Sequence, residues 1–419
     1  MKKEHITYAL EAYLPELTAM ADQIYDLAEP GMEEFQSSKL LADYLQNHGF
    51  TVEMGIAGLP TAFRAVYEQG EGGPSFGFLA EYDALKDIGH ACGHHMQGPS
   101  VIGAALALKD ICKEQSYKIV VYGTPAEETI GGKIIMQEKG CFQDIDIALM
   151  MHAAPTTCVD LRCMALECFY VNFHGVESHA AMSPDKGKSA FDAALLSFQG
   201  IEFLREHVKE DSRMHYTVLD AGGPSNIVPG RTRAEYTLRS YSTDYLENVI
   251  VPRFYDIIKG ACLMTDTTVE VKILGENHDS KLNFTLAALA HDCMEAIGAP
   301  RFTEEEKAYA RQVAQAVGLP GVEGELDESI LPVDGTIKKD NGSSDVADVS
   351  QIVPVVNINT ACYGRKTPNH SWAVTVQADK PAAHRGMLFA AKTLALMGTR
   401  LATEPTLLAA VRAEFEQAE

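Results

Sequence analysis

Positive charge is scarce in this chain: 35 lysines and arginines stand against 58 aspartates and glutamates, a formal net charge of -23. That balance excludes binding to nucleic acid or an anionic membrane through a general basic field, although a local pocket can still take an anionic substrate. Apolar residues make up 46% of the sequence, yet no run of them is long enough to span a bilayer. Met1-Lys2-Lys3-Glu4-His5 has no apolar stretch behind its lysines, so it is read as the start of a helix and not as a secretion signal. No CxxC clip occurs, and the nine cysteines are odd in number and dispersed. Free thiols in a reducing, cytoplasmic compartment are expected, with Cys112 and Cys293 serving as small core residues. The two sequons, at Asn283 and Asn341, then carry no meaning. Tryptophan occurs once, as Trp372, expected to pack beside His370. Repeats, low-complexity tracts and linkers are missing too.

What is present is a dense stretch, His90-Ala-Cys-Gly-His94-His95, with three imidazoles and one thiol in six residues. These groups bind borderline and soft divalent metals. The spacing of Cys92 and His94 is not that of a zinc finger or ribbon. Further candidates follow far apart: Glu81 and Asp83 upstream, then Glu127-Glu128, His152 and His370 downstream. A fold must gather such ligands, which is the habit of a catalytic metal site.

The chain of 419 residues has room for two or three domains. Helices are expected over 4–28 and 33–48, split by Pro30-Gly31. Apolar runs at 76–80, 117–123 and 145–151 alternate with helices at 98–113 and 131–140, a β-α-β-α-β series. This predicts an α/β fold: a mainly parallel mixed sheet with helices on both faces. Asp83, Glu127, Glu128 and His152 all fall at the carboxyl ends of strands, where open α/β sheets bind ligands. The middle of the chain changes rhythm. Strands at 167–174, 213–219, 231–240 and 267–274, with a Ser189-capped helix and another over 253–263, give β-α-β-β-α-β. We expect a ferredoxin-like domain over 165–275 inserted between 1–164 and 276–419. Residues 317–344 have no period and are expected to form a long loop.

Adjacent carboxylates such as Glu127 and Glu128 repel unless a cation or proton lies between them. In a loop after an apolar strand, one can ligate metal while the other acts as base. A solvated acidic loop is the plain alternative. His90 and His95 are weaker candidates, either supporting a ligand or walling a pocket. His179, in Gly175-Val-Glu-Ser-His-Ala-Ala-Met-Ser-Pro184, stands out from the isolated His174, His207, His215 and His291. Arg239, at a strand end, can hold a carboxylate bidentately or simply be a salt-bridged surface residue.

Six ordered motifs carry a resemblance over nearly the whole chain. They are Gly-Phe-Leu-Ala-Glu81-Tyr-Asp83-Ala-Leu, Gly-His90-Ala-Cys92-Gly-His94, Gly-Thr-Pro-Ala-Glu127-Glu128, Ala-Leu-Met-Met-His152-Ala, Ser-His179-Ala-Ala-Met-Ser-Pro and Thr-Pro-Asn-His370-Ser-Trp. Together they resemble the amidohydrolase branch of the aminoacylase and glutamate-carboxypeptidase superfamily of di-metal peptidases. The join Ala261-Cys-Leu-Met-Thr-Asp-Thr-Thr-Val-Glu270 leans toward its p-aminobenzoyl-glutamate hydrolases. The resemblance implies two divalent ions per chain, zinc or manganese, held by Cys92, His94, Glu128, His152 and His370. It implies Glu127 as general base and acid, and Asp83 as a carboxylate orienting a ligand. It also implies a lid and homodimerisation role for the inserted domain, with His179, Asn226 and Arg239 contacting substrate. Where the family often has Asn or Asp, this chain has His95. The expected activity is cleavage of the amide bond of N-acyl or N-aminoacyl amino acids. A dipeptidase is the alternative in the same class. A thiol hydrolase using Cys92 and a non-catalytic binding protein stand further off, since the first leaves Glu127-Glu128 and His370 without a task and the second needs no base.

Overall fold

The computed structural model describes residues 3–160, 162–319, 325–333 and 342–418. Much of the loop expected over 317–344, and the sequon at Asn341, lie outside the described residues. The chain folds into two compact units. The first comprises Met1–Leu161, Lys281–Lys338 and Asp348–Glu419; the second comprises Arg162–Ser280 and Lys339–Ala347.

In chain order the first segment holds α1 (Lys3–Glu11), α2 (Leu14–Leu27), α3 (Phe35–Asn47), β1 (Thr51–Met54), β2 (Phe63–Gln69) and β3 (Ser75–Ala80). It continues with α4 (Gln97–Ile111), β4 (Tyr117–Gly123), α5 (Gly132–Glu138), β5 (Ile147–Ala154) and β6 (Cys158–Asp160). The second unit carries β7 (Ala165–His174), β8 (Ser178–His179), α6 (Ala190–Arg205), β9 (Arg213–Asp220), β10 (Ile227–Val228) and β11 (Arg231–Ser240). It ends with α7 (Thr243–Tyr245), α8 (Val251–Thr265) and β12 (Thr268–Asn277). After it come α9 (Phe284–Ile297), α10 (Glu304–Ala316), α11 (Val346–Val349), β13 (Val355–Ala361), α12 (Trp372–Ala378), α13 (Pro381–Thr403) and α14 (Pro405–Gln417).

The first unit is built on a seven-stranded sheet, ordered β1-β2-β4-β3-β5-β13-β6. Its centre, β4-β3-β5-β13, is parallel, while β1, β2 and β6 pair antiparallel at the edges. Each parallel strand is apolar on both faces because both faces are covered. Phe76, Phe78, Ile119, Val121, Ile147 and Leu149 join one continuous core with α1, α2, α4, α9 and α13. On the opposite face Tyr122 packs edge-on against Phe142, just past α5. Four parallel strands therefore end on one edge, and the loops leaving that edge carry the chemistry.

The expected helix over 4–28 breaks in two. Pro15 in the first turn of α2 cannot donate a backbone N–H and ends the preceding helix.

The second unit has a four-stranded antiparallel sheet, ordered β12-β7-β11-β9, with α6 and α8 on one face. Ala165, Phe169, Val171 and Phe173 of β7 alternate onto that face and meet Phe198, Ile201, Phe254 and Ile258. Each such large side chain contributes about 1.5–3 kcal/mol by leaving water. Ser189 caps α6, its Oγ accepting from the N–H of Asp192 at 3.1 Å. Pro252 starts α8, and the ladder just before it widens into a π-helical turn over Leu246–Ile250. A short ribbon, β8 with β10, was not anticipated and pairs His179 with Ile227.

Candidate metal centre

The loop after β3 places Asp83, and two residues earlier Glu81, at the carboxyl edge of the sheet; both side chains are buried. The same long loop carries Cys92 and His94. Gly93 between them has φ +83°, and a Cβ there would lie 2.5 Å from the Cβ of Ala153, so only glycine lets the loop pass this close to β5. The loop after β4 supplies Glu127 and Glu128, β5 supplies His152 from within the strand, and the loop after β13 supplies His370.

These side chains converge. Cys92 Sγ lies 3.4 Å from His152 Nε2. His152 Nδ1 donates to the carbonyl of Ala153 at 2.8 Å, which leaves Nε2 as the lone-pair nitrogen facing the thiol. His94 Nδ1 donates to Asp83 Oδ1 at 2.9 Å, and its Nε2 lies on the inward side of the ring. Asp83 Oδ2 accepts from the N–H of Glu128 at 2.9 Å, so one carboxylate fixes both neighbours. His94 Nε2 is 4.0 Å from Glu128 Oε1, and that oxygen is 3.6 Å from His370 Nε2. His370 itself is half-exposed and adopts φ +51°. Three overlapping groups each keep their ligand atoms within 4.8 Å: Cys92, His94 and His152; Cys92, Glu128 and His370; His94, Glu127 and Glu128.

Two atoms test whether this set suits a cation. His94 Nε2 and Glu128 Oε1 are buried without a hydrogen-bond partner. Such orphans are costly unless something else meets them. A thiol, imidazole nitrogens and a carboxylate around that point are the donor set for zinc-like metals, so the residues fit. The electrostatics differ from group to group. Burial pushes the Cys92 thiol up to about 12, and His94 only partly offsets this. Burial works against a proton on His94, but Cys92, Glu81 and Asp83 outweigh it and hold its pKa well above the imidazole range. His152 is moved down, by burial first and then by His94.

Sequence reasoning missed two supports, Glu34 and Lys133. Glu34 is fully buried ahead of α3; its carboxylate accepts from the Ala126 N–H at 2.8 Å and from Thr61 Oγ1 at 2.9 Å. It thereby braces Ala126, which holds φ +61° directly before Glu127. Glu81 and Lys133 form a buried ion pair beside His94. No periodicity marks these positions, since a lone Glu or Lys at a helix start is ordinarily solvated.

His90 and His95 are buried and do not enter the cluster. His90 Nε2 donates to the Ile24 carbonyl at 3.0 Å and His95 Nε2 to the Ala378 carbonyl at 3.1 Å. Burial and neighbouring imidazoles keep both uncharged, His90 at about 4 and His95 well below its usual value. Trp372, expected to pack, is 49% exposed at the start of α12.

In the second unit His179 and Asn226 are neighbours on the β8–β10 ribbon, where the Ala180 N–H donates to the Asn226 carbonyl at 2.9 Å. Arg239 is not with them. It sits at the other end of β11, opposite Arg213 and Leu166, and donates to Ser343 Oγ at 3.1 Å. The stretch of β11 from Arg231 to Arg239 spans roughly 26 Å of strand.

The pattern of Peptidase family M20/M25/M40 matches residues 77–357, which includes every candidate ligand and substrate-contact residue except His370. The chain belongs to this family. The M20 assignment makes it a hydrolase acting on amide bonds, and a non-catalytic binding role is set aside. Among curated relatives, a p-aminobenzoyl-glutamate hydrolase component of Escherichia coli is 33% identical, over 98% of this chain and 94% of its own length. The mouse Xaa-Arg dipeptidase is 30% identical over 96% and 89%. Among solved structures, an aminobenzoyl-glutamate utilization protein from Klebsiella pneumoniae matches with TM-score 0.62 at 21% identity, covering 94% of this chain and 98% of its own. A Bacillus subtilis dinuclear metal-binding peptidase of the M20 family matches with TM-score 0.65 at 16% identity, over 94% and 99%. At those identities the likeness is one of fold, and it is the mixed α/β fold with an inserted α+β domain that the sequence predicts. No helix among the described residues is long and apolar enough to cross a membrane.

Proposed function

We propose that this chain is a di-metal amidohydrolase that splits N-acyl or N-aminoacyl amino acids, of the p-aminobenzoyl-glutamate kind, at the amide bond. The observation that carries the reading is the convergence of Cys92, His94, Glu128, His152 and His370 on two buried, unpartnered atoms, His94 Nε2 and Glu128 Oε1. These five would hold two ions, zinc or manganese. When bound, the ions supply Lewis acidity toward an amide carbonyl and make water acidic near neutral pH. Glu127, beside His94 and Glu128, takes the proton from the attacking water and hands it to the leaving nitrogen. Asp83 keeps His94 and the Glu128 backbone in place.

The lid supplies the remaining groups. His179 donates to the oxyanion that forms on the substrate carbonyl, while Asn226 and Arg239 hold the substrate carboxylate. Arg239 and the His179–Asn226 ribbon lie at opposite ends of one sheet, too far apart for both to reach one small substrate from a single lid. This favours a homodimer through the lid, whose edge strands β9 and β12 are unpaired on their outer sides among the described residues. Closure turns on the crossings near 163–168 and 275–280. Nine free cysteines support a reducing, cytoplasmic setting, and the net charge of -23 speaks against nucleic-acid and membrane partners.

Cleavage of dipeptides is the second reading, favoured by the similarity to the Xaa-Arg dipeptidase. A thiol-hydrolase reading loses ground, since a thiol pushed up to about 12 is the reverse of an activated nucleophile. Metal-replete protein assayed against p-aminobenzoyl-glutamate, other N-acyl amino acids and dipeptides ending in arginine separates the readings. Preference for dipeptides replaces the first reading with the second; no hydrolysis of either class sinks both.

A further inference from the structure

Lys133 is the only lysine or arginine in the buried class among the described residues. Lysine is almost never fully buried unless paired, and here its Nζ donates to Glu81 Oε1. The other oxygen, Glu81 Oε2, accepts from Gln97 Nε2 at 2.6 Å, and Gln97 Oε1 accepts from the Glu81 backbone N–H at 3.2 Å. Glu81 and Gln97 are buried as well. This carboxylate is therefore fixed on both oxygens and at its backbone. Its Oε2 lies 3.2 Å from His94 Nε2, outside hydrogen-bond geometry. His94 is thus flanked by a carboxylate at each ring nitrogen, Asp83 on one side and Glu81 on the other.

The pair also links two loops. Glu81 leaves β3 on the segment that leads to Cys92 and His94, and Lys133 opens α5 directly after the Glu127-Glu128 loop. Stabilisation of the fold does not explain this, because a buried ion pair is often no better than apolar residues of the same shape. What it does is place a negative charge at one point, against the unpartnered nitrogen of His94.

We propose that Glu81 and Lys133 are positioning residues of the metal centre: Lys133 and Gln97 hold the Glu81 carboxylate against Nε2 of His94, and the charge held there raises the site's affinity for a divalent cation. The inference rests on the metal-centre reading above. Outer groups that fix ligands typically contribute about 10–100-fold in metal affinity.

The probe is Zn²⁺ affinity, measured by competition with a chromogenic chelator on the full chain. Glu81→Gln with Lys133→Met keeps the shapes of both side chains and leaves the summed charge of the pair at zero. The double variant is expected to keep its circular dichroism and to bind Zn²⁺ about 10–100-fold more weakly. Wild-type affinity in the folded double variant overturns the proposal and leaves the pair a purely structural link. Gln97→Leu asks the same question with the ion pair intact: at least threefold weaker binding supports the proposal, and unchanged binding overturns it. Cys92→Ser separates the two levels. If the wild-type chain does not bind Zn²⁺, or Cys92→Ser binds it equally well, the metal-centre reading itself fails. If Cys92→Ser weakens binding while the double variant does not, only the role of Glu81 and Lys133 is lost.

Discussion

Glu167 of β7 stands directly across from Glu276 of β12 in the antiparallel register of the second unit. Paired residues share a face, and this face is the one that α6 and α8 cover; Glu167 is only 8% exposed. Burial first, then Glu276 and Glu247, pushes its pKa up to about 7. Like charges opposite each other destabilise a sheet, so the folded chain holds this proton longer than the unfolded chain does.

The consequence is a pH-dependent cost. Below the usual 4.5 the carboxyl is protonated in both states and costs nothing. Between 4.5 and about 7 the unfolded chain ionises while the folded chain does not, and stability falls with rising pH. Above that the loss is complete. Glu167→Gln is expected to raise Tm by a few degrees at pH 8 and to leave it nearly unchanged at pH 4.5, as differential scanning calorimetry will report. An equal shift at both pH values would remove titration from the explanation.

Chelation is expected to abolish amide hydrolysis, and elemental analysis of the replete protein to find up to two divalent ions per chain. Readdition of zinc or manganese restores turnover. Full activity in stringently metal-free protein, lost only on alkylation of Cys92, would establish the thiol route instead.

Glu127→Gln is expected to keep its metal and lose about 10²–10⁴-fold in kcat, the range for a general acid–base group. Glu128→Gln is expected to lose metal first. A loss under tenfold for Glu127→Gln with metal bound would move the base elsewhere.

Gly132→Ala puts a methyl 1.9 Å from the Pro125 carbonyl oxygen, which belongs to the loop that carries Glu127 and Glu128. The backbone must shift, at a cost of about 1–3 kcal/mol by analogy with overpacked cores. Turnover is expected to fall together with Tm; wild-type values for both would mean the loop yields freely.

Mixing inactive His179→Ala subunits with inactive Glu127→Gln subunits tests the lid. If His179 serves the partner's site, each mixed dimer regains one working centre. Arg239→Ala is expected mainly to raise KM. No recovery after proven subunit exchange would confine His179 to its own chain.

The parallel sheet was legible because its strands are continuous apolar runs, and the candidate cluster because its side chains sit at or beyond their carboxyl ends. Cys92, His94, Glu128, His152 and His370 announce themselves by residue type. Glu34 and Lys133 do not: each becomes special only through burial against a loop far away in sequence. The β8–β10 ribbon is two residues a side, too short for any alternation to show. Asn283, which fits a glycosylation pattern, turns out to be a buried N-cap whose side chain accepts from the Leu286 N–H at 2.8 Å.

β13 lies parallel to β5, pairing Val355 with Ala148, although the whole of the second unit is made between them. On the ribosome, then, His152 and the candidate ligands before it are synthesised well ahead of His370. At about 5–20 residues per second the gap lasts roughly 10–40 s. Throughout that interval the nascent chain offers a thiol, two imidazoles and a carboxylate with His370 still unmade.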